Sequence, residues 1–136
     1  RSTLFPYTTL FRSPYRLSEE TGAGAARGTK LNIPLPPGAD DTDFHAAWRQ
    51  VEEYLQAGKP EFILFQCGAD SVGGDPLTHM CFSEAAHAHA AARLCAIADS
   101  LGHGRVVAMG GGGYHRRNLA RAWTRVVGAF VDAGGG

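Results

Sequence analysis

The sequence predicts an α/β fold, with a parallel sheet carrying flanking helices. Three observations lead there. Two short, almost continuous apolar runs, Glu61–Gln66 and Arg105–Met109, read as strands buried on both faces. Three longer stretches carry apolar residues at helical spacing. The two kinds of segment alternate along the chain, and strands alternating with long helices imply an open parallel sheet.

The elements follow in order. Residues 1–13, RSTLFPYTTLFRS, have neither periodicity and resemble translated sequencing-adaptor sequence. They are best treated as a non-native segment, leaving 14–136 as the domain portion. Residues 14–30 are rich in Gly, Ala, Ser and Thr and read as loop. Leu31–Leu35 is a short apolar run expected to be the first strand. Pro36, Pro37 and Gly38 end it, since proline cannot donate to a ladder.

Asp41 or Thr42 can cap the first helix, whose apolar stripe is Phe44, Trp48, Val51 and Leu55. Gly58 and Pro60 stop it. After the Glu61–Gln66 strand comes a polar, glycine-rich loop, Cys67–Thr78. Ser83 can cap a long alanine-rich helix reaching about Leu101, with Leu94, Ile97 and Leu101 on its apolar edge. The Arg105–Met109 strand then leads into the loop Gly110–Tyr114. A final helix, roughly Asn118–Val131, presents Leu119, Ala122, Trp123, Val126, Val127 and Phe130.

Composition removes several classes of function. The chain has 136 residues, and Lys+Arg and Asp+Glu balance at 13 each. Sequence-independent nucleic-acid binding needs a basic surplus, so none is expected. No apolar run is long enough for a membrane span, and no signal peptide is read. Three cysteines, with no CxxC, suit a reducing cytoplasm better than a disulfide framework.

Ligands in open α/β sheets bind beyond the carboxyl ends of the strands. Two loops leave such ends here, Gln66–Leu77 and Gly110–Tyr114. Both are glycine-rich, so backbone can turn tightly and approach a ligand. Phosphate cradling by backbone N–H groups is one chemistry they could serve. However, no Lys follows Gly110–Gly113, and Tyr114-His115-Arg116 occupies the place where a dinucleotide fingerprint needs its third glycine. Metal-assisted hydrolysis is the other, with Asp70 as an oxygen ligand and Tyr114 as an O–H donor.

Four blocks carry a resemblance. They are Gln66-Cys67-Gly68-Ala69-Asp70-Ser71, Gly74-Asp75-Pro76-Leu77, Met109-Gly110-Gly111-Gly112-Gly113-Tyr114 and Asn118-Leu119-Ala120-Arg121-Ala122-Trp123-Thr124. In order and spacing they resemble the C-terminal blocks of the zinc-dependent histone deacetylase and acetoin-utilisation deacetylase family. Asn32-Ile33-Pro34-Leu35 resembles the strand before them. The likeness covers about residues 20–130, and Arg116-Arg117-Asn118 resembles bacterial members.

The resemblance implies an arginase–deacetylase type of fold, present as its C-terminal portion, and hydrolysis of acetyl-lysine or an acetylated small amine with Zn²⁺ as cofactor. Asp70 then matches a zinc ligand, and Tyr114 matches the donor to the tetrahedral oxyanion. Pro76, Leu77, Gly112 and Gly113 match the wall of the narrow tube that admits the acyl-lysine arm. The family's other zinc ligands come from a DxH motif and its general base from an HH pair, both expected upstream of Asp70. A D-x-H string does occur upstream of Asp70, Asp43-Phe44-His45, but it sits on the predicted helix. A catalytic zinc needs three protein ligands, so the missing N-terminal portion of the domain is an expected partner. A non-catalytic truncated fragment and a phosphate- or nucleotide-binding module are the alternatives.

The remaining candidates have plainer readings. Cys67 is expected to be a small buried hydrophobe, and Cys81 and Cys95 to be packing residues. Asp75 is expected to fix its loop by accepting backbone N–H groups. His87 and His89 point to different helix faces and read as surface or packing residues. His45 and His115 are expected to face solvent, His79 to lie near the pocket mouth, and His103 to serve a turn. Trp48 and Trp123 read as core stripe members. Arg116, Arg117 and Arg121 read as a solvated basic patch.

Overall fold

The computed structural model describes residues 19–135. The adaptor-like segment 1–13 lies outside the described residues. The elements are α1 (Asp41–Gly58), β1 (Ile63–Gln66), α2 (Glu84–Ser100), β2 (Val106–Met109) and α3 (Arg116–Gly134), with short 3-10 turns at Gly24–Ala26 and Ala69–Ser71.

Helix α1 starts one residue before the expected caps. Asp40 has the extended backbone that an N-cap needs, and its side chain accepts from the Thr42 and Asp43 N–H groups while Asp43 accepts from the Asp40 N–H. Asp41 is thereby free to reach α2, where it accepts from the Ser83 N–H at 2.7 Å and from the Ser83 hydroxyl. Ser83 caps α2 as expected, accepting from the Ala85 N–H. The two helices are also joined by Arg93, whose guanidinium grips both oxygens of Glu52 at 2.7 and 2.8 Å and holds that carboxyl below its usual pKa.

Strands β1 and β2 pair in parallel, Ile63 opposite Val106 and Gln66 opposite Met109. All three helices pack on one face. Ile63 and Phe65 meet Val51 and Leu55 of α1 and Leu94 and Ile97 of α2, while Phe65 and Cys67 also meet Ala91 and the Val126–Phe130 turn of α3. Alanines at 86, 90, 91 and 98 are buried on α2, where small side chains let α3 approach closely.

Two expectations are corrected. The strands are covered on one face only: Leu64, Val107 and Met109 are 56%, 46% and 43% exposed. A strand turns successive side chains to opposite faces, and no described helix lies over the second. Leu31–Leu35 forms no strand either. Its side chains join the core, Ile33 against the cluster that holds Val51 and Leu55, and Leu35 against the cluster that holds Ala39 and Phe82. Pro34 and Pro36 would present the same ladder edge and neither has an N–H to give it. No described helix is long and apolar enough to cross a membrane.

Candidate active site

The two loops singled out in the sequence leave the same end of the sheet and are zipped together beyond it. The Cys67 N–H donates to Met109 O at 2.9 Å, and the Ala69 N–H donates to Gly112 O at 2.6 Å. The Cys67 thiol is buried and donates to Met109 O, and burial raises its pKa. It is the packing residue expected. Cys95 is buried as well, whereas Cys81 is exposed, which corrects its reading as a packing residue.

Asp70 sits in the 3-10 turn Ala69–Ser71, partly buried, with its carboxylate over the backbone of Gly112. A Cβ at Gly112 would overlap that carboxylate. Gly113 has φ +141°, a conformation that side chains resist, and it packs on Leu119 and Ala69. Glycine at these two positions is therefore what lets a carboxylate from one loop lie in the concavity of the other. Gly112→Ala should cost about 1–3 kcal/mol, the usual penalty of overpacking, and should displace Asp70. Urea unfolding, with amide shifts at Asp70 and Gly112, checks it.

Asp75 ties the loops together a second time. It is 7% exposed. Its Oδ1 accepts from the Leu77 N–H at 2.9 Å and the Thr78 N–H at 3.3 Å, while Oδ2 accepts from the Tyr114 N–H at 2.8 Å. Burial raises its pKa, but the backbone donors of Tyr114, Leu77, Thr78 and His115 outweigh burial, and the net shift is downward. The expectation that Asp75 fixes its loop is met, with the addition that it reaches the other loop too.

Tyr114 is thereby placed between two anchors. Its own N–H is held by Asp75, and the next residue, His115, caps α3 by accepting from the Asn118 N–H at 3.3 Å. The phenol side chain projects outward and is 57% exposed. Leu77, half exposed, and Pro76 form the rim of the Asp70 loop. The structure thus brings Asp70, Gly112, Gly113 and Tyr114 onto adjoining stretches of backbone, with Pro76 and Leu77 next to the shared Asp75 anchor.

Three side chains that brace these loops are not evident from sequence. His87, on α2, is buried and contacts Gly68 O at 3.0 Å and Ser71 Oγ at 3.3 Å. Asn118 donates to Gly73 O at 3.1 Å. Trp123 donates from its indole to Cys67 O at 3.0 Å and covers Gly110. It is 38% exposed and acts as a buttress for the loop rather than as core. The one available signal is a lone polar residue on an otherwise apolar helix face.

His45, His103 and the arginines fall where the plain readings put them. His45 is exposed and meets His89 edge to face at 4.5 Å across the α1–α2 seam. His103 accepts from the Arg105 N–H in the turn, and His79 is exposed. Arg121 pairs with Glu84, and Arg116 and Arg117 are solvated.

The donor chemistry fits part of a metal site. Among the described residues nothing donates a hydrogen bond to the Asp70 carboxylate, so its oxygens are free to ligate. No group of three or more His, Cys, Asp or Glu among the described residues could enclose an ion. Asp70 can supply one ligand of a set whose others must come from elsewhere.

A family model for the histone deacetylase domain matches residues 4–130. Histone deacetylase clr6 of Schizosaccharomyces pombe is 33% identical over 114 residues, covering 83% of the chain and 27% of that protein. Histone deacetylase 6 of Arabidopsis thaliana is 36% identical over 110 residues, 76% of the chain and 21% of that protein. The crystal structure of an HDAC homolog complexed with SAHA superposes with a TM-score of 0.77 at 34% identity, over 95% of the chain and 32% of that structure. Acetylpolyamine aminohydrolase from Burkholderia pseudomallei shares the fold, with a TM-score of 0.75 at 20% identity, over 89% of the chain and 36% of that structure. The chain thus spans 21–36% of the length of these relatives.

Proposed function

Because this chain belongs to the histone deacetylase family, we propose that it supplies the Asp70 and Tyr114 side of a zinc-dependent site that removes acetyl groups from acetyl-lysine or acetylated small amines. The observation that carries this reading is the Asp70 carboxylate lying, free of hydrogen-bond donors, in the concavity of the loop that presents Tyr114.

Each residue has a task that its position allows. Asp70 would hold the metal through an oxygen, and the chemistry the ion would supply there is polarisation of the acetyl carbonyl and activation of a water near neutral pH. Tyr114 donates its phenolic proton in a hydrogen bond to the carbonyl oxygen as negative charge collects there. Pro76, Leu77, Gly112 and Gly113 line the passage for the acyl arm, where glycines keep it narrow without blocking it. Upstream residues of a longer domain contribute the remaining ligands and the general base.

The acetylated substrate class is supported by two structural relatives, one bound to SAHA and one an acetylpolyamine aminohydrolase. Phosphate binding by Gly110–Gly113 is disfavoured, because the carboxylates of Asp70 and Asp75 already crowd that loop. A second reading concerns the chain by itself. With one ligand and a bare apolar sheet face at Leu64, Val107 and Met109, it is non-catalytic and prone to associate.

Zinc uptake and turnover of an acetyl-lysine peptide and an acetylated polyamine, measured on this chain and on one extended upstream through the domain, test both readings. Zinc and turnover are expected only in the extended chain. An extended chain that takes up zinc yet deacetylates neither substrate overturns the assignment.

A further inference from the structure

We propose that His87 is a positioning residue, which grips the Gly68 carbonyl before Asp70 and the Ser71 hydroxyl after it and so aims the Asp70 carboxylate at the metal. This rests on the reading of Asp70 as a ligand.

The placement is specific. His87 lies on α2 and is 7% exposed, in a stretch where Ala86, Ala90 and Ala91 are also buried. Alanine would continue that face, whereas a buried imidazole must be desolvated and hydrogen-bonded. Its Nε2 is 3.0 Å from Gly68 O and 3.3 Å from Ser71 Oγ. A carbonyl only accepts, so Nε2 carries the hydrogen, and the Ser71 oxygen can share it. Gly68 stands two residues before Asp70, and Ser71 stands directly after it.

The rest of the turn shows what this grip adds. Gly112 bounds Asp70 from the facing loop, through its carbonyl to the Ala69 N–H and through its bare Cα to the carboxylate. The Thr78 hydroxyl holds the Asp70 carbonyl. His87 is the contact from the α2 side, where it ties the turn to a helix with its own place in the core. It does so with Nδ1 buried and without a partner among the described residues. Leaving a buried acceptor unpaired is a cost that packing alone does not justify. Ligand-supporting groups of this kind tune a metal site through geometry rather than by touching the ion.

The test needs three measurements. On the unsubstituted chain, a long-range ¹H–¹⁵N spectrum should show His87 in the Nε2–H tautomer, and the Nδ1–H form overturns the proposal. Two variants then separate hydrogen bonding from packing. His87→Gln brings an N–H to the Nε2 position and can serve both acceptors, while His87→Leu fills similar space with no donor. Amide exchange at Ala69 and Val72 should quicken about tenfold or more in His87→Leu, stay near normal in His87→Gln, and leave α1 unchanged in both. In the chain extended upstream, the zinc dissociation constant should rise about 10–100-fold in His87→Leu, recover in His87→Gln, and show no added loss when combined with Asp70→Asn. Equal effects of Leu and Gln, exchange that quickens throughout the chain, or an undiminished loss in the Asp70→Asn background overturns it. If the unsubstituted extended chain takes up no zinc, the reading of Asp70 fails, and the tautomer and exchange results still decide whether His87 grips the turn.

Discussion

Replacing Tyr114 with phenylalanine, in a chain extended upstream through the domain, is expected to cut turnover of an acetyl-lysine peptide about 10²–10³-fold, the usual cost of one oxyanion donor. Zinc content should not change. The substitution removes one oxygen and nothing that holds the loop. The Tyr114 N–H, not its side chain, is the group bonded to Asp75, and the next anchor is the His115 cap. With a side chain 57% exposed, the loss of the hydroxyl leaves no buried partner unsatisfied. The effect should therefore fall on kcat and on kcat/KM alike, because the donor matters most where charge develops. Near-full turnover would remove Tyr114 from the reaction. Loss of zinc together with activity would mean that the hydroxyl helps to hold the loop, against the bonding described above.

The second large effect is on stability. Asp75→Asn keeps the shape of the side chain but cannot keep its bonds. Aspartate offers one oxygen to Leu77 and Thr78 and the other to Tyr114, all N–H donors. An amide, flipped either way, points an NH₂ at one of these sets. The expected loss is about 3 kcal/mol, since hydrogen bonds to a charged group are broken and donors are left facing a donor. For a chain of this size that corresponds to a drop of about 10 °C in Tm.

The same carboxylate predicts an acid dependence. Its folded pKa lies below the ordinary aspartate value, so the stabilisation it contributes is complete above the unfolded value and fades as pH falls through the folded one. Urea unfolding of the unsubstituted chain should weaken in that acid window, and Asp75→Asn should show less of this weakening. Parallel pH profiles for the two proteins would show that Asp75 is not the group responsible.

Much of the fold and of the site is legible in the residues themselves. Helix α1 is announced by Phe44, Trp48, Val51 and Leu55, and Val51 and Leu55 are indeed its buried residues. Ser83 begins α2 for a reason that lies within three residues of it. Glycine content and strand-end position identify the loops after β1 and β2, and the block resemblance names Asp70 and Tyr114 within them. Where local reading fails, the cause is a competitor close by. Two adjacent aspartates could each cap α1, and Asp40 takes the place because Asp41 has a partner on another element. Leu31–Leu35 has strand-like side chains, but its prolines deny it a ladder.

Periodicity, capping chemistry and glycine placement act over a few residues, so the sequence by itself determined the three helices, the strands β1 and β2, where the two loops stand and which side chains they offer. Only the tertiary structure decided what aims those side chains. His87 reaches across 16 residues to Ser71, Tyr114 across 39 to Asp75, Asn118 across 45 to Gly73 and Trp123 across 56 to Cys67. Bonds of that span depend on how α2 and α3 settle on the covered face of the sheet. No local pattern records that choice, because the same histidine or asparagine would look alike on a helix turned toward water.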